Sequence, residues 1–127
     1  MKTKLKSPSK IEIKKTYEIE SARFLPFLPK SHPCSQTHGH SFKVTLTLQG
    51  KIDAKLGWLV DYHSIDQSMA PILKQIDHTL LNKIPGLNNP TTENLTIWIF
   101  DALKPNCTQL AQVTIKETSD TECSYPI

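Results

Sequence analysis

The sequence lacks a long apolar run, and it contains only three cysteines. No stretch approaches the roughly 18 apolar residues that a membrane-spanning helix needs, and no apolar segment follows the lysines near the N-terminus, as a secretory signal would require. Cys34, Cys107 and Cys123 are odd in number and widely spaced, unlike a disulfide framework. These absences predict a cytoplasmic protein with reduced thiols and no contact with a membrane.

The sequence also has no internal repeat, no low-complexity segment and only a small excess of positive charge. Its 127 residues fit one domain, and an apolar content of 38% is slightly low, which favours burial completed in a homo-oligomer. Much of the +3 net charge comes from lysines at positions 2, 4, 6 and 10, without the aromatic residues that would indicate nucleic-acid binding. We predict a flexible basic leader at residues 1–10 and a single domain at residues 11–127.

Alternating and helical apolar patterns predict six elements in the domain. In chain order these are a strand at 11–23, a strand at 38–50, a helix with its apolar stripe at 65–76, a helix between Thr91 and Pro105, a strand at 112–118 and a short strand at 124–126. The odd face of the first strand is expected to be buried at least as far as Ile19. Asp61 or Ser64 is expected to cap the first helix, and Pro71 to kink it or mark its first turn. This order indicates an α+β domain, a four-stranded antiparallel sheet with two helices on one face.

A thiol and two imidazoles lie together around the start of the second strand. His38 and His40 share parity with the apolar residues that begin at Phe42, so both side chains are expected to face the interior. Two histidines at this spacing can bind one metal ion, although a pair of buried, hydrogen-bonded histidines is the alternative. Cys34, four residues upstream of His38, favours a functional site.

A carboxylate lies on the apolar face of the third predicted strand. Val113, Ile115 and Glu117 share this face, and a buried glutamate is rare unless it is paired. Glu117 can accept two parallel N–H bonds from a planar, guanidine-like ligand edge. The alternative is a residue at the strand end that bends out to solvent.

Two further segments contain candidates for acid–base chemistry. Asp77 can hold the tautomer of the adjacent His78, as an acid–base relay requires, although such a pair in a loop is often simple surface polarity. The connection at 24–37 contains three prolines, and loops of this length are usually functional. It presents Cys34, whose thiol is either a base or nucleophile or a buried spectator.

Several short motifs occur together in a specific order. They are Cys34 with His38-Gly39-His40, Trp58-Leu59-Val60-Asp61-Tyr62, Asp77-His78 with Leu81-Asn82, Ile84-Pro85-Gly86-Leu87, Asn89-Pro90-Thr91 and Lys116-Glu117-Thr118. Through these motifs, from about Tyr17 to Tyr125, the chain resembles the 6-pyruvoyl-tetrahydropterin synthase superfamily. The resemblance is greatest to the bacterial branch, the 6-carboxy-5,6,7,8-tetrahydropterin synthases of queuosine biosynthesis.

The resemblance implies a tunnelling fold (T-fold), in which subunits join their sheets into a barrel, most simply as a hexamer with active sites at the interfaces. It implies a lyase that converts 7,8-dihydroneopterin triphosphate with release of acetaldehyde and triphosphate. It also implies zinc bound by three histidines, two of them His38 and His40. Cys34 would transfer protons with assistance from Asp77 and His78, and Glu117 would bind the pterin edge.

One position departs from the family's pattern. The resemblance places the first zinc histidine at the end of the first strand, where this chain has Arg23, its only arginine. A guanidinium has no lone pair for a metal, and a unit charge ~4 Å from a dication costs about 8 kcal/mol at an effective dielectric of ~20. We therefore expect zinc to bind weakly or not at all. Either Cys34 becomes the third ligand, or Arg23 takes the place of the metal.

This departure leaves the function with alternatives. The expected activity is that of a 6-carboxy-tetrahydropterin synthase. The alternatives are a metal-deficient, non-catalytic homologue that binds pterins, and a related pterin synthase with a different product, such as the 6-pyruvoyl type.

Overall fold

The structure is a computed structural model that describes residues 9–127. Of the leader predicted at residues 1–10, all but Ser9 and Lys10 lies outside the described residues. Six elements follow: β1 (Lys10–Arg23), β2 (His38–Lys51), α1 (Tyr62–Ile76), α2 (Thr92–Leu103), β3 (Leu110–Lys116) and β4 (Cys123–Tyr125). This order confirms the predicted α+β arrangement of two strands, two helices and two strands.

The four strands form one antiparallel sheet in the order β1-β2-β3-β4. β1 and β2 pair along their whole length, from Lys10 opposite Lys51 to Arg23 opposite His38. β3 pairs with the other side of β2, with Lys43 opposite Lys116. The end of β1, the start of β2 and the end of β3 therefore meet at one end of the sheet.

Both helices pack on the same face of this sheet and enclose one apolar core. The fully buried side chains include, from the strands, Ile19, Phe42, Val44, Leu46, Leu48, Val113 and Ile115, and from the helices, Ile65, Met69, Ile76, Leu95 and Ile99. Each such side chain contributes about 1.5–3 kcal/mol relative to an exposed position. The core supports the inner face of the sheet, and polar residues lie at the end of the sheet where β1 ends.

Three local features differ from the sequence-based expectations. On the inward face of β1, Ile11 is 42% exposed and full burial begins only at Ile19, because the helices cover the second half of this strand. α1 begins at Tyr62, nine residues before Pro71, and the Asp61 carboxylate caps the Ser64 N–H at 3.1 Å, so the proline does not mark the first turn. β3 ends at Lys116, which leaves Glu117 one residue beyond the strand.

The helices in the described part of the chain are all too short or too polar to cross a bilayer.

Candidate functional site

Polar side chains from four elements converge at the end of the sheet where β1 ends. Arg23 is the last residue of β1, and His40 lies near the start of β2 on the same face. Thr92 is the first residue of α2, and Glu117 directly follows β3. The register between β1 and β2 dictates this meeting, because it places Arg23 opposite His38 and Ser21 opposite His40.

Arg23 is buried, with only 4% of its surface exposed. Its Nη2 forms an ion pair with Oε1 of Glu117, and its Nη1 donates to the Pro90 carbonyl at 3.1 Å and to Thr92 Oγ1 at 3.2 Å. The Nε–H has no hydrogen-bond partner among the described residues. Glu117 is thus the group that compensates the buried positive charge.

The Glu117 carboxylate is held from two sides. Oε1 contacts Arg23, and Oε2 accepts a hydrogen bond from Thr92 Oγ1 at 2.9 Å. Because Thr92 opens α2, the partial positive charge of the helix N-terminus also favours a carboxylate here. The side chain retains 26% exposure and lines two surface depressions, so the residue remains accessible from outside.

The two histidines pack edge to face, with ring centroids 4.7 Å apart. His38 Nδ1 lies 2.7 Å from the Gln36 carbonyl and therefore donates to it, which leaves Nε2 with the lone pair. His40 Nε2 lies 3.4 Å from Glu117 Oε1. Burial lowers the pKa of His40, and the Arg23 guanidinium lowers it further, against the opposing effect of Glu117. Both rings lie on the inward face, as predicted, and both are half-buried.

These residues do not fit the zinc site that the family resemblance implies. The direction in which a third histidine would approach is taken by the Arg23 guanidinium, which donates hydrogen bonds and has no lone pair to share. Within residues 9–127, no three His, Cys, Asp or Glu side chains converge closely enough to hold a metal ion.

Cys34 lies in a single 3₁₀ turn, Pro33–Ser35, in the connection between β1 and β2. Its backbone N–H donates to His32 Nδ1 at 3.1 Å, and its carbonyl accepts from the Leu25 N–H at 2.8 Å. The thiol is free and half-buried. The predicted long loop is therefore an ordered segment with Cys34 anchored through its backbone.

Asp77 and His78 are fastened to the outer edge of β1. Asp77 Oδ1 accepts from the Glu20 N–H at 2.9 Å, and Asp77 Oδ2 lies 3.1 Å from His78 Nδ1. The first of these bonds is the main reason that the pKa of Asp77 is lowered. His78 has a φ of +54°, a left-handed conformation that is costly for a residue other than glycine, and its N–H donates to the Glu20 carbonyl at 2.6 Å.

A cavity of about 530 Å³ lies beside this edge. Its lining comprises Glu20, Ser21, Ala22, Gly39, His40, Ser41, His78, Thr79 and Leu80. His40 and His78, two of the predicted site residues, thus face one cavity. Cys34, His38 and Glu117 do not line it. Glu117 lines two smaller depressions, one of them with Ser41 and Lys43.

Two contributors to the site were missed in the sequence. Thr92 joins Arg23 to Glu117, and the Pro90 carbonyl accepts from Arg23. The motif Asn89-Pro90-Thr91 pointed to this segment, but the pattern indicated only the start of a helix there. Asn82 was named only within a motif, and its amide bonds both the N–H of Phe24, at 3.0 Å, and the Phe24 carbonyl, at 2.8 Å.

Residues 12–126 match the sequence model of the family described as 6-pyruvoyl tetrahydropterin synthase. The chain belongs to this family. In structure it is similar to 6-pyruvoyl tetrahydropterin synthase from Caenorhabditis elegans, with a TM-score of 0.86 and 24% identity over 95% of this chain and 98% of that one. The single-subunit architecture of the T-fold, a four-stranded antiparallel sheet with two helices, is thereby confirmed.

Relatives in the family carry several names. The chain is 29% identical to 6-carboxy-5,6,7,8-tetrahydropterin synthase of Bacillus subtilis over 93% of its own length and 86% of that protein. It is 30% identical to a putative enzyme of the same name from Archaeoglobus fulgidus over 73% of this chain and 78% of the relative. It is 35% identical to dihydroneopterin monophosphate aldolase of Pyrococcus furiosus, over only 56% of this chain and 59% of that protein.

We expect Glu117→Gln to lower the free energy of unfolding by about 3 kcal/mol, because it leaves the buried Arg23 guanidinium without a counter-charge. The double variant Arg23→Met/Glu117→Gln should recover most of this loss, since the uncompensated charge is then absent. Urea denaturation measures both effects.

Glu122→Gln is the matched control. Glu122 pairs with Lys116 at 3.5 Å, and both side chains are well exposed. Its loss should cost less than about 1 kcal/mol. Equal losses in Glu117→Gln and Glu122→Gln would contradict a structural role for the buried pair.

Proposed function

We propose that the chain is a lyase of the 6-carboxy-5,6,7,8-tetrahydropterin synthase type, which acts on 7,8-dihydroneopterin triphosphate in the cytoplasm as a step of queuosine biosynthesis. The observation that carries the proposal is the Glu117 carboxylate, which is held by Arg23 and Thr92 and still accessible. The similarity to the enzyme of that name from Bacillus subtilis, over 93% of this chain, supports it.

Glu117 recognises the substrate. The edge of a pterin carries an amino group and a ring N–H in the plane of a guanidine, and a carboxylate can accept both in parallel. A carboxylate offers about four lone-pair positions, and Arg23 and Thr92 each take one of them. The two remaining positions suit the two donors of the pterin edge.

Asp77 and His78 supply a base. The contact at 3.1 Å between Asp77 Oδ2 and His78 Nδ1 places the proton of the neutral ring on Nδ1, so Nε2 carries the free lone pair. Because His78 lines the cavity of about 530 Å³, its Nε2 can accept a proton from a substrate hydroxyl there. Cys34 serves as the second proton-transfer group, delivered by the ordered connection that precedes β2.

Two other functions are favoured by particular observations. The Arg23–Glu117 ion pair favours a homologue that binds pterins without catalysis, because Arg23 lies where the family resemblance places a zinc ligand. The similarity to the aldolase from Pyrococcus furiosus, and to 6-pyruvoyl tetrahydrobiopterin synthase of Drosophila melanogaster at 33% over 69% of this chain, would suit another product. Product analysis distinguishes all of these.

We expect purified protein to convert 7,8-dihydroneopterin triphosphate to 6-carboxy-5,6,7,8-tetrahydropterin, as identified by mass spectrometry. Cys34→Ala and His78→Ala should each slow turnover by about 10²–10⁴ while pterin binding is nearly unchanged, because each removes a proton-transfer group. His63→Ala, which alters an exposed histidine of α1, should leave the rate unchanged. Full activity of Cys34→Ala would make the thiol a spectator, and absence of any product would favour the non-catalytic homologue.

We expect Glu117→Gln to weaken pterin binding roughly ten- to a hundredfold, since a charge-assisted hydrogen bond contributes about 1.5–3 kcal/mol. Calorimetry at a temperature where both proteins are folded measures this. Glu12→Gln serves as the control for binding, because its carboxylate pairs with the exposed Lys14 near the other end of β1. Unchanged affinity in Glu117→Gln would remove Glu117 from pterin recognition.

We expect the protein to form a homo-oligomer, most simply a hexamer by analogy with the family. β1 and β4 are the edge strands of a four-stranded sheet, and open edges favour pairing with another copy. At the far end of the sheet from the site, Ile11, Trp58 and Tyr62 are 42%, 47% and 58% exposed and line one apolar groove. Light scattering at micromolar concentration should report several times the 14.4 kDa of one chain; a monomer would refute this.

A further inference from the structure

Arg23 occupies the position from which a third histidine would reach a metal at His38 and His40. It ends β1 directly opposite His38, and its guanidinium lies 5.2 Å from the Phe42 ring on the face that carries both imidazoles. We propose that Arg23 takes the place of a metal ion in this chain, so that a guanidinium holds Glu117 in position and the His38–His40 pair binds no zinc. This inference concerns the chain's own residues and does not rest on the proposed function.

The first argument is that burial and several contacts hold the Arg23 side chain in place. Only 4% of its surface is exposed, and it contacts three residues: Glu117, Thr92 and Pro90. A side chain with these contacts cannot turn to solvent without leaving the Glu117 carboxylate without its counter-charge and the Pro90 carbonyl without its donor. Its charge therefore remains beside His40 and repels any divalent cation that approaches the two rings.

The second argument is charge balance. Two neutral imidazoles need at least one more protein ligand to form a zinc site of the usual kind. The nearest carboxylate is Glu117, whose Oε1 lies 3.4 Å from His40 Nε2. Its Oε1 is paired with the Arg23 guanidinium, and its Oε2 accepts from Thr92. The negative charge of Glu117 is therefore balanced by Arg23, and a divalent cation bound to this carboxylate would lie against that guanidinium and be repelled by it.

The third argument concerns Cys34, which the sequence left open as a substitute ligand. Its backbone is tied to His32 and Leu25 in the 3₁₀ turn that precedes β2. Its thiol does not group with the two histidines as a set of three ligands anywhere in residues 9–127. Of the two alternatives, the contacts favour Arg23 in the place of the metal.

The remaining unpaired atom indicates how Arg23 is held. Its Nε–H is buried without an acceptor among the described residues, so hydrogen bonding of the guanidinium is incomplete. The ion pair to Glu117 is therefore the decisive contact. In this chain Nη2 of the guanidinium orients the carboxylate, while Nη1 holds the side chain to the Pro90 carbonyl and to Thr92 Oγ1.

The test measures metal content in the native chain, Arg23→His and Arg23→Lys, each expressed with added zinc and purified without chelator. Elemental analysis should find less than about 0.1 zinc per chain in the native protein and near one in Arg23→His, since three histidines complete a zinc site. Arg23→Lys is the matched control, because it keeps the charge, offers no ligand at neutral pH, and should stay free of zinc.

Cobalt substitution gives a second readout, since three histidines should produce the visible absorption of tetrahedral Co²⁺ in Arg23→His alone. The thermal midpoint of the native protein should not change with zinc or with a chelator, because a ligand that does not bind cannot stabilise the fold.

Near-stoichiometric zinc in the native chain would overturn the proposal, and so would a folded Arg23→His that takes up neither metal. If Arg23→His does not fold, the native measurements decide. None of these readouts involves a pterin, so they fail or succeed independently of the proposed activity.

Discussion

The ion pair between Arg23 and Glu117 is the contact on which the rest of the site depends. It joins the end of β1 to the end of β3 across the intervening β2, and Thr92 adds the start of α2 to the same network. Neither charge would be tolerated alone in this half-enclosed position, because desolvation of an unpaired ion is costly. The pair therefore fixes the position of the Glu117 carboxylate and keeps the positive charge of Arg23 beside His40.

The register between β1 and β2 places Arg23 at the end of the sheet where this pair forms. β1 and β2 are matched over fourteen residues each, and side chains on a strand alternate between faces. A slip of one residue would move Arg23, or both histidines, to the opposite face of the sheet. The apolar inner face, above all Ile19 and Phe42, makes such a slip expensive. The hydrophobic core thus specifies the positions of the polar groups at the end of the sheet.

Much of this arrangement can be predicted from the sequence, and the limits have physical causes. Alternation of apolar residues predicts the inward direction of His38 and His40, because facing depends only on local parity. Arg23 and Glu117 are separated by 94 residues, and no local pattern reports which distant strand ends will meet. For the same reason, the sequence does not reveal the role of Thr92 or the exposure of Ile11. The exposure of Ile11 depends on where the helices lie over the sheet. The residue type alone indicates that Arg23 cannot ligate a metal. That Glu117 is its ion-pair partner can be seen only in the folded structure.

The attachment of Asp77 and His78 to β1 has a consequence for how other chains can approach. Backbone and carboxylate contacts from Asp77 to Leu80 occupy the outer edge of β1 at Glu20 and Ala22. A strand from another copy that extends the sheet at β1 therefore has to add at the half nearer Lys10. The cavity lined by His40 and His78 and the free part of the β1 edge thus lie at opposite ends of one strand, so occupation of one does not exclude occupation of the other.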